Sequence, residues 1–406
     1  MKLGRALSAL VLGSILVWSA CGGAGRCSGG PGTGRGQTPG PGSGASSVRP
    51  GDNVCGPASR SGGGGGGNSA LIYYSTQSSS RIQAAGLNGS TLAPLALTTP
   101  TQNINAQMIF VKQKFLYATL GNGVEAFTLD RTTGALTNVL GNLASYPAQG
   151  NTLAADPQGR FLFVSGPGSS IDIFEINSVT GALTATPGAP FSARLSQIKQ
   201  LTVDASGNFL YASDGNSMTS IFSITQSTGA LAEVSGSPLS LGVACIQASQ
   251  GGEFLLGIPT CFGLGAPDIH VFSIHTNTGM PTEISGSPFP TVALVFNFAV
   301  SPTGQFLYTF GHTSASSSAV APIEGYQMDA TTGALTAVSG SPFASLPTVV
   351  NCFFDQSGLT LLCSDTLRVG NFYAFAIDPK TGMPSLQATL PITSSNPIDL
   401  MYAITD

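Results

Sequence analysis

Ionisable side chains are scarce in this 406-residue chain: only 8% of residues are Asp, Glu, Lys or Arg, against about 25% in ordinary globular proteins. Three histidines and one tryptophan are present. With so few imidazoles, and no His-x-x-x-His or Cys-x-x-Cys spacing, a His- or Cys-built metal centre is excluded. No Gly-x-Ser-x-Gly stands between a strand and a helix, which removes the serine-hydrolase elbow. No Gly-Lys-Ser/Thr follows a glycine-rich loop, so there is no phosphate cradle. Positive charge is lowest where it would matter for nucleic acid. Residues 70–406 hold nine basic against eighteen acidic residues, a net of −9. Without clustered Lys and Arg to neutralise phosphates, nucleic acid is excluded as a partner. Nothing in the sequence calls for a cofactor.

The few charges of the N-terminus are arranged differently. Lys2 and Arg5 precede an apolar run from Ala6 to Val17, the pattern of an export signal. The run is too short for a spanning helix. Ser19-Ala20-Cys21 resembles a bacterial lipobox, so residues 1–21 are expected to be a signal peptide with Cys21 lipidated, although Trp18 stands where Leu is usual. Ordinary secretion is the alternative. Residues 22–69 are Gly, Ser and Pro with scattered Arg; such a segment cannot bury enough surface to fold and reads as a tether spanning about 35–40 Å. The expected setting is a bacterial cell envelope, lipid-anchored or secreted, with the membrane as a partner through the anchor.

Beyond residue 70 long helical periodicity is missing, and a repeat takes its place. Thr-Gly recurs at Gly134, Gly181, Gly229, Gly279, Gly333 and Gly382, preceded by Asn88-Gly89, at intervals of 45 to 54 residues. Each interval contains four short runs rich in β-branched and aromatic residues, separated by turn residues, which predicts a four-stranded antiparallel meander. A second turn recurs as Asp156-Pro-Gln-Gly159, Asp204-Ala-Ser-Gly207, Ser301-Pro-Thr-Gly304 and Asp355-Gln-Ser-Gly358. Asp or Ser caps such a turn and Gly supplies its positive φ. Meanders of this length must pack on their neighbours, and radial closure leaves only short protected edges. The expectation is an all-β, seven-bladed β-propeller over 70–406. Its ring is closed by Ile398–Ile404 pairing with the first blade around Leu71–Tyr74.

This strand order assigns the turns to two faces. The Asp-x-x-Gly and Thr-Gly turns share one face and are structural. Loops between second and third strands, and those running to the next blade, share the other, where length varies and binding is expected. Candidates there are Tyr146, Gln149, Arg194, Lys199, Asp214, Asp268, His312, Asp365 and Arg368. Arg194, Lys199 and Arg368 could bind an anion or polarise a lactone carbonyl, with His312 or Asp214 as base. The plain alternative is that each is a solvated loop residue. His270 is expected to be a packed strand residue and His275 to adjoin a Thr-Gly turn. Among seven cysteines, the preferred pairs are Cys245–Cys261 and Cys352–Cys363, with buried thiols as the alternative.

The phrase Asp156-Pro-Gln-Gly-Arg-Phe-Leu-Phe-Val164, echoed at Asp204–Ala212 and Ser301–Tyr308, resembles the lactonase-family seven-bladed propellers. That family includes 6-phosphogluconolactonase-like and muconate-cycloisomerase-like proteins. Ile171-Asp-Ile-Phe-Glu-Ile176 followed by Thr180-Gly-Ala-Leu183 is similar to the same family. The resemblance implies the fold over about residues 70–406. Enzymatic members carry Pro-His or Pro-Arg-His at the start of inner strands. This chain has Gln149-Gly-Asn-Thr-Leu153, Gln197-Ile-Lys-Gln-Leu201 and Phe296-Asn-Phe298 there, so no catalytic residue is carried over. The sequence alone therefore favours a monomeric binding or scaffold module that takes a small molecule, glycan or protein on its loop face. A hydrolase of sugar lactones using Arg194, Lys199 and His312 is the rival. Carbohydrate binding by Tyr146, Phe262 and loop amides is the third.

Overall fold

A computed structural model describes residues 70–76, 81–101, 107–120, 122–141, 145–148, 150, 152–251, 253–260, 266–312, 321–346, 351–364, 371–391 and 398–405. The expected signal, the expected lipidation site Cys21 and the expected tether lie outside the described residues. The chain divides into two compact units, 1–63 and 64–406, and the second holds every described strand.

Seven antiparallel blades follow one another. Blade one runs outward as Ile398–Thr405, Ala70–Thr76, Arg81–Asn88 and Thr91–Pro100. Blade two is Met108–Val111, Phe115–Thr119, Val124–Leu129 and Leu136–Asn138; blade three is Leu153–Ala155, Phe161–Ser165, Ser170–Ile176 and Leu183–Ala185. Blade four is Gln200–Val203, Phe209–Ser213, Met218–Ile224 and Leu231–Glu233, and blade five Cys245–Ala248, Phe254–Ile258, Ala266–Ile274 and Pro281–Glu283. Blade six begins in Phe289–Val300 and continues through Phe306–His312, Ala321–Met328 and Leu335–Ala337; blade seven is Asn351–Phe354, Thr360–Ser364, Asn371–Ile377 and Pro384–Pro391. The one helical turn among the described residues is the 3-10 turn Pro167–Ser169.

The ring closes as the apolar C-terminal run predicts. Leu71 pairs with Ile404 and Tyr74 with Met401, so the last strand becomes the innermost strand of the first blade. Packing closes it too. The apolar core divides into seven clusters, each shared by two consecutive blades, and one joins Leu362 and Phe372 of blade seven to Ile72 and Tyr74 of blade one. Because strand side chains alternate, Leu71 and Tyr73 face blade two while Ile72 and Tyr74 face blade seven. Second strands such as Phe115–Thr119 and Phe209–Ser213 are buried along their whole length. Both of their faces are covered, hence the continuous apolar runs in the sequence.

The two repeated turns work as their residues suggest. Asp156 Oδ1 accepts the Phe161 amide at 2.8 Å, Asp204 Oδ1 the Phe209 amide at 2.7 Å, Asp355 Oδ1 the Thr360 amide at 3.0 Å, and Ser301 Oγ the Phe306 amide at 3.0 Å. In the Thr-Gly turns the glycine is at positive φ, +72° at Gly229, and its amide donates four residues back, as from Gly229 to Thr225 O at 2.8 Å. Amides of Thr133 and Thr132 hold the Asp130 carboxyl below the ordinary carboxylate range.

A third turn was not read from the sequence. After the fourth strand the chain passes Gly188-Ala-Pro-Phe191, Gly236-Ser-Pro-Leu239, Gly286-Ser-Pro-Phe289 and Gly340-Ser-Pro-Phe343, each with a cis X-Pro bond. It then returns to pair with the start of the third strand, Ile171 with Phe191 and Ile269 with Phe289. Ser237, Ser287 and Ser341 hydroxyls accept amides of Ile221, Val271 and Gly325, fixing this bend to the sheet.

Candidate functional site

The loop face is assembled from the crossovers between blades and from the loops joining second and third strands. Polar side chains at the loop-face ends of the inner and second strands tie its mouth together. Gln107 Oε1 accepts the Leu153 amide at 2.8 Å and the Thr152 hydroxyl at 2.9 Å. Gln200 Oε1 accepts the Ile246 amide at 2.7 Å, and Ser213 Oγ donates to Ala244 O at 2.7 Å. Each of these bonds runs from one blade to the next, so the inner ring on this face is pinned rather than left to apolar packing alone.

Lys199 stands at the start of the innermost strand of blade four. Its amide donates to Ser213 O at 2.8 Å. Its aliphatic stem lies over Gly215, a residue at φ +79° where a Cβ would come within 2.7 Å of Lys199 Cγ. A glycine is needed there for both reasons. The residue as a whole is exposed, so a long stem is guided along the loop while its ammonium is free to meet solvent or ligand.

Arg194 is placed differently. Its Nε donates to Glu233 Oε2 at 2.7 Å, and its guanidinium reaches the Ser237 carbonyl. Glu233 belongs to the outermost strand of blade four and also accepts hydroxyls of Ser220 and Ser237. Arg194 thus clamps a crossover to the outer edge of the next blade, away from the inner strand that Lys199 leads into. Asp214 is buried, and its Oδ1 accepts the amides of Asn216, Ser217 and Met218 at 2.8, 3.1 and 3.1 Å. Those bonds cap the loop, and a carboxylate oxygen so engaged serves the turn.

Tyr146 bridges to Val124, lies edge-on to Phe174 with ring centroids 6.5 Å apart, and encloses its hydroxyl without a hydrogen-bond partner among the described residues. Asp268 sits on the third strand of blade five, its Oδ1 3.8 Å from His270 Nε2, while His270 Nδ1 is 2.7 Å from Glu283 Oε1. Ser287 donates to the same Glu283 oxygen at 2.8 Å. The sequence reading missed Glu283 and Ser287; the recurring Gly-Ser-Pro was the signal that could have found them. His312 ends the second strand of blade six, its backbone opposite Leu294; its side chain, and Gln149, Asp365, Arg368, Cys261 and Phe262, lie outside the described residues. Among the described residues no group of three or more His, Cys, Asp or Glu is arranged to hold a metal ion.

Cys352 and Cys363 are directly opposed in the first hairpin of blade seven, Cα atoms 4.1 Å apart, and are joined by a disulfide. Cys245 is also disulfide-bonded. A cavity of about 120 Å³ lies on the other face, between blades four and five, lined by Asp204, Ser206, Glu253 and Thr276. Small-molecule sites run to about 300–1,000 Å³, so this cleft is smaller than an ordinary ligand site, and Asp204 already caps its turn.

Residues 107–248, which are blades two to four and the first strand of blade five, match the family model for the lactonase seven-bladed β-propeller. No curated protein matches the chain. Among solved structures, a candidate 6-phosphogluconolactonase from Bacteroides uniformis is similar with a TM-score of 0.62 at 18% identity, over 82% of this chain and 99% of that one. A second, from Bacteroides fragilis, gives 0.61 at 20% identity, over 82% and 97%. The periplasmic gluconolactonase of Pseudomonas aeruginosa gives 0.61 at 16% identity, over 81% and 98%. At these identities the likeness is one of fold, and it agrees with the seven blades and shared clusters described above. The chain is a lactonase-like seven-bladed β-propeller.

Proposed function

We propose that the protein is an exported, lipid-tethered hydrolase of sugar lactones that binds its substrate on the loop face. The match of residues 107–248 to the lactonase propeller family carries this reading, and the fold likeness to a periplasmic gluconolactonase supports it. Opening a lactone adds water to the ester carbonyl, passes through a tetrahedral oxyanion, and breaks the ring C–O bond as the leaving oxygen takes a proton. The step needs a cation or N–H donors at the oxyanion and a base at the water. On this reading Lys199 polarises the carbonyl, because it is exposed at the start of an inner strand with its stem guided by Gly215. His312, at the end of the second strand of blade six, is the candidate base. The disulfide of blade seven suits an oxidising compartment, and Cys21 is the lipidation site.

A binding module without turnover is the second reading. It is favoured by the engagement of Arg194 with Glu233 and of Asp214 with three amides, which removes two of the candidate catalytic groups. Incubation of the purified protein with gluconolactones, with acid release followed above the spontaneous rate, separates the two. Turnover lost in Lys199→Met and His312→Ala supports the hydrolase; absence of turnover together with glycan binding supports the module. Membrane fractionation of Cys21→Ser against the parent chain tests the tether.

A further inference from the structure

Four of the nine basic residues in 70–406 occupy one sector of the turn face. Lys112 and Lys114 are exposed on the first turn of blade two, Arg131 is exposed on its Thr-Gly turn, and Arg160 follows the first turn of blade three. Lys114 Nζ donates to the carbonyls of Ser178 and Val179 at 3.2 and 3.0 Å, which places it over the Thr-Gly turn of blade three. Val179 at that tip is 73% exposed, the highest exposure among the large apolar residues described. Three acids share the sector, which keeps a net charge of +1. Asp156 has no exposed side-chain surface and is bonded to Arg160, while Asp130, which caps its own turn, and Glu175 are exposed. Over blades four to seven the same face carries Asp204, Glu253, Asp329, Asp355 and Asp378 against Lys380 alone.

Ala70, the first described residue, begins its strand on this face. Ala70 is opposite Thr405, where the other blades have their first turn. Leu71 and the Tyr73 hydroxyl reach Gly134, in the same turn as Arg131. The segment 22–69 itself adds Arg26, Arg35, Arg49 and Arg60 against Asp52.

We infer that the turn face of blades two and three docks on an anionic phospholipid surface, with Lys112, Lys114 and Arg131 at the headgroups and Val179 at the interface. The inference rests on the lipid-tether reading above. It leaves the loop face, with Lys199, turned away from the membrane and open to substrate. Basic residues near an anionic bilayer attract it within a Debye length, and an apolar tip among them deepens the contact.

Lysine acetylation with mass-spectrometric readout tests this on the full chain, mixed with vesicles of phosphatidylcholine or of phosphatidylcholine with phosphatidylglycerol, after flotation. Lys112 and Lys114 are expected to be protected on anionic but not on neutral vesicles, while Lys199 reacts equally on both. Arg131→Gln is expected to lower the protected population about five-fold, one charge's worth at the surface, and Val179→Asp to lower it further. Flotation with both vesicles but equal acetylation of Lys112 and Lys114 overturns the docking and leaves the tether standing. Flotation with neither overturns both, and selective protection of Lys199 overturns the orientation.

Discussion

The Tyr211 hydroxyl donates to the carbonyl of Gly279, 2.7 Å away and 68 residues along the chain, joining the second strand of blade four to the Thr-Gly turn of blade five. Tyr73 reaches Gly134 at 2.7 Å, Tyr117 reaches Gly181 at 2.9 Å, and Tyr308 reaches Gly382 in the same way. Tyr211→Phe leaves a buried carbonyl without its donor, so it is expected to cost about 1–2 kcal/mol. Urea unfolding checks this through a lowered midpoint at unchanged slope.

The same tyrosines make the fold sensitive to alkali. Burial pushes the phenols of Tyr73, Tyr117, Tyr211 and Tyr308 well above the ordinary tyrosine value near 10. A raised folded-state value means the stabilisation is fully present below about pH 10 and is lost as pH rises above it toward the folded-state values. Unfolding midpoints are expected to fall steeply above about pH 10, and less steeply in Tyr211→Phe. An equal fall in parent and variant would contradict the assignment.

Gly229 and Gly89 separate two costs of adding a methyl group. Both have positive φ, +72° and +56°, but a Cβ at Gly229 would come within 2.6 Å of the Phe161 ring, whereas at Gly89 nothing lies within 4 Å. Gly89→Ala is expected to cost about 1 kcal/mol for the backbone. Gly229→Ala should cost about 2–4 kcal/mol, since overlap with the neighbouring blade is added. Calorimetry on the two variants reads the difference.

The Cys352–Cys363 bridge closes a loop with a sequence separation of 11 residues. The Cys352→Ala/Cys363→Ala double variant is expected to lose about 2–3 kcal/mol, and thiol reductant should then have less further effect than on the parent chain. Equilibrium unfolding with and without reductant measures both.

The blades were legible because their turns are local. Asp204 to Phe209 and Thr225 to Ala230 contain all the groups their turns need, so residue order alone reveals them. Closure was legible because Ile398–Ile404 was an apolar run with no partner in its own unit. Contacts between blades were not, since Tyr211 and Gly279, or Arg194 and Glu233, meet only after two separate sheets have formed. For that reason Arg194 reads as a free cation in the sequence and is a clamp in the fold. Asp214 reads as a candidate base in the sequence and caps its own loop in the fold, because Asp-Gly-Asn is also loop-capping chemistry.

Matched substitutions of Lys199 and Arg194, assayed for gluconolactone hydrolysis, test the functional account most directly. Lys199→Met is expected to lower kcat/KM by about 10²–10³, the scale of one lost oxyanion donor. Arg194→Met should leave turnover unchanged and cost up to about 1 kcal/mol of stability, as for an exposed ion pair. Equal loss in both variants, or no turnover by the parent protein, would contradict it.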